Sequence, residues 1–568
     1  MPPIPGGLPA FFGAFDRYYR ETCVVVPQPN SFDLVGTEDS TWKPLVNEKG
    51  VVTLESQFTP PGAAHDPFAD VRRTLLVLFD PEREGWGKFR QNIAHECWEG
   101  WMPASQITMR TARFPWLRVL VLVDEENTLQ VKVEIPSQAR FYAIPLPTSQ
   151  APAEIWGRPG PMPVAGTDGT AFHAALSALE THWRTKFAAL LAWPLPHPCL
   201  KQGILAGLAK SFISQYGGAL RYGATRYYCD EGKCAESFPP TVFSVAEAAL
   251  FYGFQDEALR FFGYFLEHFV SPSGEIIHRG NGASLSEHGM LLELFARCCR
   301  ETGNQEFQER HGLAVHAVAS RLLEMVKEAG ESLVMGCPED DLREIPHRRW
   351  FSSNLWLARG LLTYQRQFGT LAGGEIVSRF AIRCRELCRE LSQECEGGVV
   401  FVPPCVEPCR PFADMNEFVE VVPGEDIHSL ASYTNYRFYP EMLSSGLLLP
   451  ETAAQLIRYR RARHGDFHGA TTFRIFRDYP PYAQCLDDWP LSHLLQGLLL
   501  YGEWEECARL LAGHLALHQS RSTFFAPEMS FRDHLDSTHC VPSQMNLPLA
   551  VRHLFGKSTT IKDTLCKM

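Results

Sequence analysis

No stretch of this 568-residue chain stays apolar for the roughly 18 to 20 residues that a membrane-spanning helix needs, so no membrane partner is expected. The N-terminal run MPPIPGGLPAFFGAF lacks the basic start and the uninterrupted apolar stretch of a secretory signal, and none of the ten asparagines stands in an Asn-x-Ser/Thr sequon. Both absences lead us to expect a cytoplasmic protein. Basic charge is also short: 53 Lys and Arg face 65 Asp and Glu, giving a net charge of -12. A nucleic-acid partner needs a basic face that releases counterions, so none is expected. The chain has no Walker loop, no Rossmann fingerprint after a strand, no His-Glu-x-x-His and no Gly-x-Ser-x-Gly, and no cofactor is expected. The pairs Cys229/Cys234 and Cys405/Cys409 lack the tight spacing of a zinc knuckle, so no metal is expected either. The seventeen cysteines are odd in number and fall mostly inside apolar helical patterns, such as Cys298-Cys299 and Cys384, Cys388, Cys395, which reads as reduced, buried thiols.

What remains is a generous aromatic content, 12% of residues, in a chain that is 45% hydrophobic and long enough for two domains. Residues 1–150 hold short β-branched or alternating runs at 22–27, 51–58, 74–80, 106–112, 117–124 and 129–135. In the last of these, Leu129, Val131, Val133 and Ile135 face one way and Gln130, Lys132 and Glu134 the other, while Val119 to Val123 is apolar on both faces. The polar link Asp124-Glu125-Glu126-Asn127-Thr128 predicts a hairpin. Strands at this density without helices between them predict an antiparallel β-sandwich. Residues 151–169, rich in Pro and Gly, read as a linker.

From 170 to 568 the period is helical. Helices are expected at 170–190, 201–217, 241–253, 255–270, 286–302, 305–329, 351–368, 374–395, 433–446, 450–463, 488–502, 504–519 and 543–556. The connections alternate, with short turns near 254, 303, 369, 447 and 503 and long gaps at 218–240, 271–285, 330–350, 396–432, 464–487 and 520–542. Alternate connections of an antiparallel array lie at opposite ends, so all the long loops share one end. Helices entered from a long loop, such as LSHLLQGLLLYG, are apolar nearly all round, and those entered from a short turn, such as EIVSRFAIRCRELCRELSQE, carry a charged stripe. An inner ring wrapped by an outer ring is an (α/α)6 toroid.

The predicted fold is therefore mostly α: an (α/α)6 toroid at 170–568 preceded by an antiparallel β-sandwich domain at 1–150. In this architecture the chain resembles the six-hairpin glycosidase superfamily, whose members include glucoamylase-like, rhamnosidase-like and disaccharide-phosphorylase-like enzymes. The resemblance rests on architecture and not on a short motif, so it carries over no catalytic residue. It implies a carbohydrate substrate and a cavity at the long-loop end.

Glycoside hydrolysis needs one carboxylic acid to protonate the leaving oxygen and a second to activate water or to attack. The acids able to reach the cavity stand on the long loops and the inner-helix starts. Candidates for catalysis are Glu339, stiffened by Pro338 in the acidic run PEDDLRE; the adjacent Asp487 and Asp488 at a helix mouth; and Glu528 amid aromatics in TFFAPEMSF. Asp488 also suits an N-cap, with Pro490 in the first turn. Candidates for substrate binding are Glu287 and His288, Asp340, Arg348 and Trp350, the tyrosines Tyr433 and Tyr436, Arg474 and Tyr482, and Trp489. For Glu287 helix capping competes with binding, and for the tyrosines packing does. The expected activity is a glycoside hydrolase, inverting, on an oligosaccharide or glycoside. The competing readings are a polysaccharide lyase, a sugar epimerase or a glycoside phosphorylase on the same toroid, and a non-catalytic carbohydrate-binding or scaffold protein.

Overall fold

The computed structural model describes residues 2–26, 30–54, 73–77, 93–110, 115–146, 165–195, 197–224, 238–277, 284–338, 347–369, 371, 373–417, 419, 429–476, 483–532, 534–536 and 538–555. The chain opens on a helix, α1 (Gly7–Val25), where strand-like residues at 22–27 had predicted a strand. Packing overrides that propensity: Phe11, Phe12, Ala14 and Phe15 bury one face of α1, and its β-branched end, Val24 and Val25, stays exposed.

Two antiparallel sheets follow. One has the strands β1 (Phe32–Leu34), β2 (Leu45–Asn47), β3 (Val51–Leu54) and β4 (Arg73–Val77) in sequence order. The other runs from β5 (Ile93–Trp98) through β6 (Met102–Met109), β7 (Leu117–Val123), β8 (Thr128–Ile135) and β9 (Gln138–Pro145) to β10 (Ala165–Thr167). Their facing sides interleave, Val46, Val52 and Leu54 against Val119, Val121, Val123 and Val131, so the sandwich is present. The two-faced β7 is explained by what covers it. Val119, Val121 and Val123 face the other sheet, while Leu120 and Leu122 join the large core shared with the helices. The end of the expected linker is in fact strand, since β10 pairs with β9.

The helices run α2 (Thr170–Lys186), α3 (Ala188–Ala192), α4 (Pro198–Ile213), α5 (Pro239–Tyr252), α6 (Gln255–Phe269), α7 (Leu285–Thr302), α8 (Gln305–Ala329), α9 (Phe351–Phe368), α10 (Gly374–Glu390), α11 (Leu430–Tyr433), α12 (Tyr439–Ser444), α13 (Pro450–Ala462), α14 (Leu491–Leu500), α15 (Trp504–Gly513) and α16 (Val541–Leu554). Small hairpins interrupt them: β11 (Gln215–Tyr216) with β12 (Ala219–Leu220), and β13 (Gln393–Cys395) with β14 (Val399–Phe401). A four-stranded sheet joins β15 (Asp466–Phe467), β16 (Ala470–Phe476), β17 (Ala483–Asp487) and β18 (Met529–Phe531).

Six helices pack in a closed cycle, α5 on α7, α7 on α9, α9 on α12, α12 on α14, α14 on α16 and α16 back on α5. This is the inner ring, each member entered from a long loop. Outer helices cover it, α6 on α5, α8 on α7, α10 on α9, α15 on α14 and α4 on α16, and α1 packs on α15. Composition explains which layer each joins. The inner α5 is buried almost throughout, from Pro239 to Tyr252, whereas the outer α10 buries only Val377, Phe380, Ala381, Cys384 and Cys388, one stripe of a helix of period 3.6. Close approach within the ring uses glycine: a Cβ on Gly289 of α7 would stand 2.1 Å from the Trp356 carbonyl of α9. Among the described residues no helix is long and apolar enough to cross a membrane.

Candidate active site

The N-terminal ends of the inner helices converge on one face of the ring. α7 begins with a capping box: Ser284 Oγ accepts from the Glu287 N–H at 3.3 Å, and the Glu287 carboxylate accepts from the Ser284 N–H at 2.8 Å. Glu287 also receives Arg437 Nη2 at 2.9 Å, and Arg437 Nε donates to Glu441 at 3.0 Å. Glu287 and Arg437 are fully buried, so a charged triad lies below the mouth. Arg437 comes from a π-helical turn, Thr434–Phe438, between α11 and α12. The extra residue of such a turn re-aims the side chains that follow it.

The Arg437 guanidinium lies 5.3 Å from the Trp489 ring. Phe238 meets the same indole edge-on at 5.6 Å, and Tyr436 at 6.2 Å. Tyr436 in turn packs on Phe473 at 4.4 Å and Tyr433 at 4.9 Å. Trp489, Tyr433 and Tyr436 are all buried and thus form an aromatic floor packed from several sides. Trp489 also caps a narrow axial cavity of about 50 Å³ that runs down the ring past Trp356 and His493. Deeper still, Arg297 bridges Glu247 at 2.6 Å and Glu293 at 2.9 Å, and Arg359 binds Glu293 at 2.7 Å. Burial alone would raise the Glu293 carboxyl, but the Arg359 and Arg297 guanidiniums hold it below its ordinary range.

The two adjacent aspartates part company. Successive residues of a strand point to opposite faces, and β17 ends at Asp487. Asp488 is wholly buried: it accepts from the Thr471 N–H at 2.7 Å and faces His514 Nδ1 at 3.2 Å. Burial works to raise its carboxyl, yet the His514 bond and the neighbouring His518 keep it lowered. Asp488 therefore ties β16 to the second π-helical turn, His514–His518, and it is not the helix N-cap, which is Pro490. Asp487 lies on the other face. It accepts from the Trp489 N–H at 3.2 Å, and its strand partner is Met529, next in sequence to the half-buried Glu528. Alternation turns Glu528, one residue before β18, to the other side from Met529 and hence from Asp487.

Other candidates fall elsewhere. His288 is buried with both ring nitrogens engaged, Nδ1 with the Ser284 carbonyl at 2.8 Å and Nε2 accepting from the Ile276 N–H at 3.1 Å. Burial pushes its pKa down to about 4, so it stays neutral. Trp350 is fully buried against Phe438 at 4.6 Å, a packing residue and not an open stacking surface, with the half-buried Arg348 5.8 Å from its ring. Of Arg474 only the strand backbone in β16 is described, and Glu339, Asp340 and Tyr482 lie outside the described residues. Sequence reading missed Phe238, Glu441 and Phe473 as parts of the floor. Phe238 directly precedes Pro239-Pro240 at the start of α5, a position equivalent to that of Trp489 ahead of α14, and that equivalence was the available signal.

No family model matches the sequence, and no curated protein matches it. Solved structures do. A bacterial glucoamylase complexed with acarbose superposes with a TM-score of 0.57 over 95% of this chain and 95% of its own, at 9% identity. A rhamnosidase from Klebsiella oxytoca with rhamnose bound covers 95% of this chain and 98% of its own at 8% identity, TM-score 0.41. A D-mannose isomerase covers 63% and 99% at 10% identity, TM-score 0.41. At 9% identity the glucoamylase likeness is one of fold: sandwich and toroid in the same chain, as the helix ring described above.

Proposed function

We propose that this chain is a glycoside hydrolase of inverting mechanism that binds an oligosaccharide or glycoside at the long-loop face of the toroid. The observation that carries the reading is the glucoamylase-like fold, whose long-loop end here holds Asp487, at the end of β17, and Glu528, one residue before β18. Sugar rings stack on aromatic faces through their C–H groups, and the buried cluster of Trp489, Tyr433 and Tyr436 gives the substrate an aromatic base to approach. The glucoamylase likeness in fold, and the acarbose in that enzyme, support a carbohydrate substrate.

In this reading Glu528, from the last long loop, and Glu339, chosen on the sequence of the third long loop alone, are the acid and base, and Asp487 orients the substrate. An inverting pair stands roughly 6.5–9.5 Å apart to admit a water. Asp488 and Glu287 hold the frame below the substrate. His288, buried with both ring nitrogens engaged by backbone groups, counts against an epimerase or lyase that would use it as a base.

The experiment is a screen on aryl glycosides and oligosaccharides, with NMR of the first-formed anomer. We expect the anomer opposite to that of the substrate, and rates lowered by roughly 10³-fold or more in Glu528→Gln and Glu339→Gln. An unsaturated, ultraviolet-absorbing product, or wild-type rates in both variants, would overturn the assignment.

A further inference from the structure

The chain around Glu528 doubles back in a hairpin that is held from two sides. β18 bridges back to Leu535, the Phe531 N–H donates to the His534 carbonyl at 2.8 Å, and the Glu528 N–H donates to the Thr538 carbonyl at 3.0 Å. From the ring, His518 of the second π-helical turn grips the strand that carries Glu528. Its imidazole is fully buried, and burial pushes its pKa down to about 4, so the ring is neutral. A carbonyl can only accept, so Nε2 donates to the Pro527 carbonyl at 3.1 Å, which leaves Nδ1 to accept from Ser530 Oγ at 2.8 Å. The two bonds bracket Glu528 in sequence.

From the sandwich, the half-buried Asn30 holds the returning arm as a neighbouring strand would. Its Nδ2 donates to the Leu535 carbonyl at 3.2 Å and its Oδ1 accepts from the Leu535 N–H at 2.6 Å, so one carboxamide satisfies both main-chain groups of a residue 505 positions away. An amide turned over would set donor against donor and acceptor against acceptor, so its orientation is fixed. Its footing is fixed too. The next residue, Ser31, bonds His95 Nδ1 of β5 at 2.8 Å, and His95 Nε2 bonds Ser105 Oγ of β6 at 2.7 Å. Three further bonds tie the approach to the hairpin to the same domain: Ser522 Oγ to the His95 carbonyl at 2.5 Å, Thr523 Oγ1 to the Phe32 carbonyl, and Cys97 Sγ to the Thr523 carbonyl at 3.1 Å. The sandwich thus anchors the long loop that carries Glu528 both before and after that residue.

We infer that the β-sandwich positions Glu528, with Asn30 as the positioning residue that fixes its hairpin; this rests on the reading of Glu528 as one of the two catalytic carboxylates. The test takes two readouts on the full chain carrying Asn30→Leu, a change of similar size at a half-buried site. Hydrogen-exchange mass spectrometry on peptides covering Glu528 and Leu535 is expected to show exchange roughly ten-fold or more faster than in wild type, because both main-chain groups of Leu535 lose their partner. On a glycoside that the wild type cleaves, kcat is expected to fall roughly 10- to 100-fold with KM within about two-fold, since a displaced acid slows the chemical step and leaves binding alone. A loss of stability would not move the kcat of the folded enzyme. Thr523→Val, which removes the separate tie to Phe32, is expected to act in the same direction, and it decides the question if Asn30→Leu does not fold. Unchanged exchange over Leu535 in both variants overturns the inference, as does wild-type kcat in both when Glu528→Gln has lost cleavage. Wild-type cleavage by Glu528→Gln overturns the reading of Glu528 instead, and exchange over Leu535 then decides by itself whether the sandwich holds the hairpin.

Discussion

Removing the Asp488 carboxylate tests the division of labour between the paired aspartates. Two donors are aimed at it, the Thr471 N–H at 2.7 Å and His514 Nδ1 at 3.2 Å, with no solvent to replace either. In Asp488→Ala both lose their acceptor. An unsatisfied buried donor costs about 1–3 kcal/mol, and removal of one partner from a buried charged pair about 3–5 kcal/mol, so about 3–5 kcal/mol is expected in total. Asp488→Asn keeps an acceptor for Thr471 and offers an N–H to His514, which can exchange tautomer, so about 1 kcal/mol is lost. Urea unfolding reads both values as midpoint shifts. The pH dependence follows from the lowered carboxyl: the stabilisation is present above the ordinary Asp range near pH ~3.9 and is lost as pH falls through the depressed folded value. Wild type and Asp488→Asn should therefore converge in acid. If Asp488→Asn keeps the wild-type urea midpoint but abolishes glycoside cleavage, the reasoning fails and Asp488 belongs to the chemistry.

Other substitutions probe the frame. Gly289→Ala forces a Cβ to within 2.1 Å of the Trp356 carbonyl, and because backbone cannot yield as a side-chain tip does, α7 and α9 must separate; a cost of about 3 kcal/mol or failure to fold is expected, read by thermal melting. Arg437→Met leaves Glu287 and Glu441 buried without counter-charge, costing about 3–5 kcal/mol, whereas the triple change that also makes Glu287→Gln and Glu441→Gln should recover much of it. Lys210→Met strands Asp33, its fully buried partner at 2.6 Å across the joint between sandwich and toroid, and should lower the urea midpoint by an equivalent of about 3–5 kcal/mol while the half-buried Glu528→Gln leaves it within about 0.5–1 kcal/mol.

Periodic features were legible in the sequence because packing writes itself into composition. The stripe of Val377, Phe380, Cys384 and Cys388 betrays an outer helix, and the run Val119 to Val123 betrays a strand covered on both faces. What was not legible depends on contacts distant in sequence. Val24 and Val25 favour a strand locally, but the helix they end is held by α15, nearly 500 residues on. Glu287 looked like a cap and is one, yet its second partner, Arg437, comes 150 positions later through a π-helical turn that no composition signals. Asp487 and Asp488 looked alike at the start of a helix. Strand alternation at the end of β17 is what separated them, and a strand of five residues with its neighbours in two other loops left little periodicity to read.

The closure of the inner ring has a biosynthetic consequence. α16 is the last described helix, and it alone completes the contacts between α14 and α5. At ordinary translation speeds the apolar surfaces of α5 wait on the order of tens of seconds for that partner to be made. Hairpins of the toroid can form one by one as they emerge, but none can bury its inner face fully until the final one arrives. The half-made ring is then an open arc with two apolar ends. Until α16 arrives those ends are exposed apolar surface, the condition under which chains misassemble with one another.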